Sequence, residues 1–596
     1  MKKTIIILAA LVCASSLFAA SYGILVNGKT YFAGESAGEY EGFTQYLAHV
    51  QVKNGDYCQL YDAENKAAWA VDLNSYSVSG FTRNDNKYNV AVDGCYDFYI
   101  KLKWEADELY IGNGSNCGTG EDISDIYTGS VPPQCTDVMM QAFFNESYRD
   151  DAPGVGDDQY HLNLGNTKWA TLLPQAAEIG KYIDLVWLPP SAYGDGMGYH
   201  PKQYSNQNSN WGTREELDAL IDAFHKAGAK VVADIVINHC AGWTSWCDFP
   251  EMDFGEYGKF QPDGSYICKN DEVNLNPDAG ECYGKATGNN DDGDNWDGAR
   301  DWAHDNVYVQ DMFKAYLKWM RNVMKYDGFR YDKGDGFNNW HHDNYNKAAK
   351  PYIAFMECYC GDDKIIDGIK NANYNLMGLD FQTKWQAFDA MAGFDYSKCQ
   401  GSGLLGRGYA KYAVTFIESH DWFLRPDNEN EFGGRGNSLT AELKDRLLQA
   451  NAFLLSMPGV PCVFYPHWAK YKDELKPMID ARKLAGVHSE SQVSDEQADH
   501  DGYQCTLKGK YGWLILQLGN KTKHDNTGDN SWLGDYKLMA KGNGYAIWVN
   551  RTEPIGTGFD CQSPVAGIPT EKYIQDGKMF IRCGERVYDI FGNVIK

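Results

Sequence analysis

A chain of 596 residues, 43% of them hydrophobic, exceeds one ordinary domain and can bury a sizeable core. Its 55 Lys and Arg against 81 Asp and Glu leave a net charge of −26, which excludes phosphate backbones and anionic lipid surfaces as natural partners and suits a neutral ligand and a bound cation. Aromatic residues at 14%, with 17 Trp and 40 Tyr, supply many flat faces of the kind that stack on sugar rings or fill cores.

The N-terminus reads MKKTIIILAALVCASSLFAASYG. Lys2 and Lys3, an apolar run and small residues near Ala19–Ser21 predict a signal peptide over 1–21, and hence a secreted or cell-surface protein. No later stretch is long and apolar enough to predict a membrane span. Of 16 Cys, one lies in that leader. Export permits disulfides, with Cys58–Cys95, Cys561–Cys583 and pairings among Cys240, Cys247, Cys268 and Cys282 as candidates. No paired CxxC pattern points to zinc.

Residues 22–130 carry short alternating runs and turn signals, the pattern of a small β-sandwich. Trp69 and Trp104 are stacking candidates there, buried core rings being the alternative. From 135 to 490 eight apolar strand candidates, at 138–144, 183–188, 231–237, 328–332, 352–357, 376–381, 412–418 and 460–465, alternate with helical stretches such as 213–227, 307–326 and 441–456. That order predicts an α/β fold, a parallel (β/α)8 TIM barrel. Between 238 and 306 lies a Gly-, Asp- and Asn-rich run with no clear helix, read as a small domain inserted after the third strand. Residues 491–550 return to a β pattern and predict a C-terminal antiparallel domain, followed by a separate tail over 551–596.

In a parallel barrel, chemistry sits at the C-terminal ends of the strands. Four polar clusters fall there. DIVINH places Asp234, Asn238 and His239 after the third strand, and GFRYDKGDG places Arg330, Asp332, Asp335 and Gly336 after the fourth. FMECY places Glu357 after the fifth, and FIESHD places His420 and Asp421 after the seventh. One carboxylate after a strand is an ordinary cap or turn; four clusters in barrel order point to a site.

These clusters resemble, in order, the four sequence regions of the α-amylase family, glycoside hydrolase family 13. GMGYH (196–200), VWLPPS (186–191) and MPGVPCVFYPHW (457–468) resemble the plant and related bacterial members in particular. The resemblance implies a retaining endo-hydrolase of α-1,4-glucosidic bonds in starch, glycogen and maltooligosaccharides, acting as a monomer. It implies Asp332 as nucleophile, Glu357 as acid/base and Asp421 as transition-state stabiliser. Tyr199, His239, Arg330 and His420 then line the cleavage subsite, and Arg330 keeps Asp332 ionised. Asn238, Asp301 and the Gly336 carbonyl are the implied ligands of a Ca2+ that ties the insertion to the barrel. The chain departs from the family pattern at Asp335, where Lys is frequent, and at Ala303, where a second acid is frequent. Alternatives on the same scaffold are a maltooligosaccharide-forming amylase, a glucan transferase and a non-catalytic starch-binding surface protein. The 22–130 sandwich loosely resembles starch-binding modules, and GKMFIRCGERVYDIFGNVIK resembles type IX secretion sorting tails.

Overall fold

The computed structural model describes residues 22–27, 29–32, 34–35, 45–62, 67–73, 77–84, 87–101, 108–113, 121–122, 129–156, 161–296, 298–424, 439, 442–522, 535–551, 570–575, 578–583 and 586–589. The expected signal peptide, Trp104, Cys561 and the side chain of Trp69 lie outside the described residues. The chain divides into two compact units, Met1–Thr128 and Gly129–Lys596.

The first unit holds two antiparallel sheets. Their inward side chains, among them Ile24, Leu60 and Tyr88 from one sheet and Val50, Phe98 and Ile111 from the other, form one buried cluster. Gly94–Lys101 shows why: its even positions Tyr96, Phe98 and Ile100 are buried while their neighbours are partly exposed, the period of a strand with one face on a core. Cys58 is a buried free thiol, pushed up to about 12 chiefly by burial. The expected Cys58–Cys95 bond is therefore absent, although Cys95 is itself disulfide-bonded.

The second unit contains a closed barrel of eight parallel strands. They are β1 (Met139–Gln141), β2 (Leu185–Leu188), β3 (Lys230–Ile235), β4 (Gly328–Tyr331), β5 (Ile353–Met356), β6 (Met377–Leu379), β7 (Ala413–Phe416) and β8 (Val460–Phe464). Met139 pairs with Leu185 on one side and Cys462 on the other, closing the ring. Nearly every strand residue is buried, because side chains face either the barrel interior or the surrounding helices. The eight expected strands all appear, each shorter than its apolar run, since the flanking apolar residues continue into buried loops.

The helices follow their end signals. Arg214–Lys226 (α1) starts at a capping box, Thr213 accepting from Glu216 N while the Glu216 side chain accepts from Thr213 N. It buries Leu217, Leu220, Ile221 and Phe224, the spacing of one helical stripe. Val307–Asn322 (α2) is capped by Asn306 and ends before the expected 326, where Lys325 turns to φ 63°. The expected 441–456 helix opens as a 3-10 turn, Glu442–Arg446, before Leu447–Ser456 (α3).

Among the described residues of 238–306 the regular structure is short 3-10 turns and two-residue strands, held by Asx-type side-chain caps and a Cys247–Cys282 disulfide. Cys240 and Cys268, also considered for pairing, are buried free thiols. A second disulfide, Cys358–Cys360, was not foreseen. Gln492–Ala498, Gly502–Lys508, Gly512–Gly519, Tyr545–Arg551 and Lys537–Gly542 form a five-stranded antiparallel sheet in that spatial order. Thr570–Gln575, Lys578–Cys583 and Arg586–Asp589 form a separate three-stranded sheet. Among the described residues no helix is long and apolar enough to cross a membrane.

Thr213→Ala removes one half of the α1 capping box. It is expected to lower unfolding free energy by about 1 kcal/mol, read as a lower urea midpoint with unchanged slope.

Candidate active site

The C-terminal ends of β3, β4, β5 and β7 converge on a cavity of 480 Å³. Asp332, Glu357, Asp421, Tyr199, His239 and His420 all line it, with Lys333 and Trp296. Arg330, on β4 two residues before Asp332, does not line the cavity and is 1% exposed.

Arg330 organises the acids. Its Nη1 donates to Asp234 Oδ1 at 2.8 Å and Asp332 Oδ1 at 2.7 Å, and its Nη2 pairs with Glu357 Oε2 at 2.9 Å. Residues 330 and 332 share a side of the chain because side chains alternate along a strand. The guanidinium also lies over the Trp187 and Tyr199 rings, 5.2 and 5.8 Å from their centroids. Asp234 was read from the sequence only as part of the motif. It is fully buried and accepts also from Trp187 Nε1 at 3.0 Å and Tyr199 OH at 2.8 Å, which fixes the Tyr199 ring.

Asp332 follows β4, its N–H held by the Ile235 carbonyl. The next residue, Lys333, takes the left-handed conformation at φ 45°. That turn directs its N–H at Glu357 Oε2, 3.1 Å away. Loss of hydration pushes Glu357 up to about 8, with the Asp421 and Asp332 charges adding and Arg330 opposing. Asp332 is also pushed up, to about 6, by burial and the Asp234 and Asp421 charges, against Arg330. Arg330 thus favours the ionised form of Asp332 and offsets part of its burial. The order survives: Glu357 keeps its proton to higher pH than Asp332 does.

His420 stacks on Tyr199, ring centroids 5.0 Å apart and planes 9° apart. Its Nδ1 accepts from Gln141 at 2.8 Å, turning Nε2 toward Asp421 Oδ1 at 3.5 Å. Asp421 Oδ2 accepts from Ser419 Oγ at 3.2 Å. His239 donates from Nε2 to the Tyr199 carbonyl at 2.9 Å, and its Nδ1 accepts from Asn238 at 3.2 Å. Burial lowers it to about 4, so it stays neutral. Both ring nitrogens are engaged by the chain itself, so His239 contributes a wall and a brace for Tyr199. Trp296, which the sequence reading missed, packs on that wall 4.5 Å from the His239 ring.

At Asp335 the charge reversal against the family pattern is neutralised locally. Lys333 Nζ and Lys364 Nζ reach its two oxygens at 3.2 and 2.8 Å, and Lys333 also pairs with Asp294 at 2.7 Å.

Asn238, Asp301 and Gly336 come together beside the cavity. Asn238 Nδ2 donates to Asp301 Oδ1 at 3.3 Å, and a Cβ on Gly336 would lie 2.0 Å from Asn238 Oδ1, so only glycine fits. Asp301 Oδ2 and Asp291 Oδ2 are buried without a hydrogen-bond donor. Burial, reinforced by Asp291 and Asp271, pushes Asp301 up to about 8. Orphaned carboxylate oxygens that repel one another, next to amide and carbonyl oxygens, fit a hard cation. Asp291 was missed because DDGDN (291–295) reads as an ordinary polar loop. A separate group, Asp292, Asp305 and His341, also converges, its ligand atoms within 4.8 Å of one another.

Residues 177–357 match the family profile described as "Alpha amylase, catalytic domain". "Probable alpha-amylase 2" of Arabidopsis thaliana is 26% identical over 454 residues, covering 72% of this chain and 97% of that protein. "Alpha-amylase 3, chloroplastic" of the same plant is 27% identical over 387 residues, 61% of this chain but 40% of that longer protein. "Alpha-amylase type B isozyme" of Hordeum vulgare is 30% identical over 138 residues, 23% of this chain and 78% of that protein.

An infrared titration should show the Glu357 carboxylic-acid carbonyl band persisting to higher pH than that of Asp332, with deprotonation midpoints of about 8 and about 6. The upper component should vanish in Glu357→Gln. Coincident midpoints, or an upper component that survives the substitution, would contradict this ordering.

Proposed function

The chain belongs to the α-amylase family, and on that premise we propose that it is a secreted, retaining endo-hydrolase of α-1,4-glucosidic bonds in starch, glycogen and maltooligosaccharides. One observation carries the reading: a single buried guanidinium holds Asp332 and Glu357 together while their proton affinities are split in the direction that catalysis needs. Arg330 bridging the two supports a short separation, of the kind retaining enzymes hold at about 5–5.5 Å.

In this reading Glu357, protonated near neutral pH, gives its proton to the glycosidic oxygen as that bond breaks. Asp332 attacks the anomeric carbon and forms a covalent glycosyl-enzyme. Glu357, now a carboxylate, takes a proton from water, whose oxygen displaces Asp332 and restores both acids. Asp421 stabilises the oxocarbenium-like charge with one oxygen held by Ser419, and Tyr199 stacks on the sugar bound at Asp332. Export rests on the N-terminal leader pattern.

Asn238, Asp301, Asp291 and the Gly336 carbonyl would hold Ca2+, whose charge would relieve the repulsion among those acids. Asp301 and Asp291 come from the body of the inserted segment, Asn238 from its first residue just after β3, and Gly336 from the loop after β4, so the ion would join the two. Its part is structural, and the acid–base steps belong to the side chains above.

Reducing-sugar release from soluble starch tests the activity, with Asp332→Asn as the control. Wild type should lower viscosity rapidly with mixed oligosaccharide products, and the variant should lose on the order of 10³-fold or more in rate; a wild type that releases no sugar sinks the reading. A calcium chelator should lower the melting temperature of wild type by several degrees, and addition of Ca2+ should restore it. An unchanged melting temperature counts against the ion.

A further inference from the structure

The Cys358–Cys360 disulfide joins residues separated by 2 positions, against 35 for Cys247–Cys282. A cross-link stabilises a fold mainly by restricting the unfolded chain, and that restriction shrinks with the loop it closes. Cys358–Cys360 therefore does little for the fold as a whole, and its effect is local. It acts at a particular place, since Cys358 is the residue after Glu357.

Two turns meet there. In the first, the Cys360 N–H bonds the Cys358 carbonyl at 2.8 Å, a three-residue turn that the disulfide locks. The second is the loop after β4, which lies flat against the first. Gly334 N–H donates to the Glu357 carbonyl at 2.8 Å and Lys333 N–H to Glu357 Oε2 at 3.1 Å, while Asp335 Oδ2 stands 3.6 Å from Cys358 Sγ. A Cβ on Gly334 would lie 2.5 Å from Met356 Cβ, so a side chain there would force the two segments apart. Asp335 is held in turn by Lys333 and Lys364. On the other flank the Tyr359 ring, carried between the two sulfurs, packs 5.1 Å from Trp385 and 6.1 Å from Trp422, the residue after Asp421. Cys358 is buried and Cys360 is partly exposed.

We propose that the Cys358–Cys360 disulfide is a positioning element for Glu357, through which a dithiol reductant slackens the site. It rests on the acid/base reading of Glu357. While the ring is closed, the backbone that follows Glu357 has one geometry, and the carboxyl meets Arg330 and the Lys333 N–H in a fixed pose. A thiolate of the reductant attacks the accessible Cys360 sulfur. The S–S bond breaks with its electron pair on the Cys358 sulfur, which takes a proton. The reductant's second thiolate then displaces the Cys360 sulfur, which is protonated in turn, leaving two thiols in the protein and a disulfide in the reductant. The thiol formed on Cys358 is a weak donor facing Asp335, where it competes with Lys333 and Lys364. The freed turn admits water to Glu357, whose burial is the main reason that its carboxyl is pushed up to about 8.

Cys360→Ser opens the ring and leaves Glu357 and Cys358 in place. By infrared titration, well below each protein's melting temperature, the Glu357 midpoint should move down from about 8 toward the ordinary carboxylate range. The alkaline limb of kcat on maltoheptaose should move with it, and kcat at neutral pH should fall about 10-fold. Dithiothreitol should produce the same shift in wild type, reversed on reoxidation, and no further shift in Cys360→Ser. Equal Glu357 midpoints in variant and wild type overturn the proposal whatever the rates. So does a dithiothreitol shift of equal size in both, which would place the effect at another disulfide. If Cys360→Ser does not fold, dithiothreitol-treated wild type, its opened pair identified by alkylation and peptide mapping, is judged on the same midpoint. A shifted midpoint in a protein that cleaves no glucan supports the positioning element and removes the hydrolase reading alone.

Discussion

The site depends on one buried cation. Arg330 is almost wholly removed from water and is tolerable there only because Asp234, Asp332 and Glu357 surround it. The converse holds for the acids, whose mutual repulsion the guanidinium offsets. Removing one member of such a buried set leaves an uncompensated charge, a cost of about 3–5 kcal/mol. Asp234 takes part in the set without facing the cavity; it balances charge and, through the Tyr199 hydroxyl, sets the ring that would meet the sugar.

Around that cation the two reacting carboxyls differ by environment. Asp332 shares a guanidinium nitrogen with Asp234, whereas Glu357 takes the other and receives one backbone N–H from Lys333. Burial raises both, and the larger rise falls on Glu357. An acid that keeps its proton beside a carboxylate that has lost its own is the arrangement general-acid cleavage with nucleophilic attack requires. The left-handed turn at Lys333 is part of this, since it brings a backbone donor to one acid from the residue next to the other. Asp335, which in isolation would add another negative charge here, is clamped between Lys333 and Lys364.

The inserted segment has almost no regular structure, and its order comes from side-chain caps, one disulfide and the Arg300–Asp271 pair. That suits its position. A segment without a large core can be shaped freely, and here it supplies Asp291 and Asp301 to a cation-ready cluster and Trp296 to the cleft. The barrel fixes the strand ends through backbone pairing and carries Asp332, Glu357 and Asp421, while the insertion adds Trp296 to the cavity wall.

Read alone, the sequence determined the barrel, the order of its strands and the three carboxylates at their ends, because hydrophobic period and strand-end position are local properties. Asn238, Asp301 and Gly336 were implied by the resemblance to the α-amylase family and by no local pattern, and the structure brings them together. Only the tertiary structure decided which charges touch. Asp234 looked like one more motif residue until burial made it the third acid on Arg330. His239 lines the cavity, and its two ring nitrogens contact the Tyr199 carbonyl and the Asn238 amide, contacts that no local sequence pattern reveals. Asp291 and Trp296 lie in loops whose residues carry no periodic signal, and the pairing of Cys358 with Cys360 and the free state of Cys58 depend on where chain folding brings each sulfur. Side-chain environment is a property of contacts between distant segments, and that is why the acids could be named from their order in the chain while their proton affinities could not.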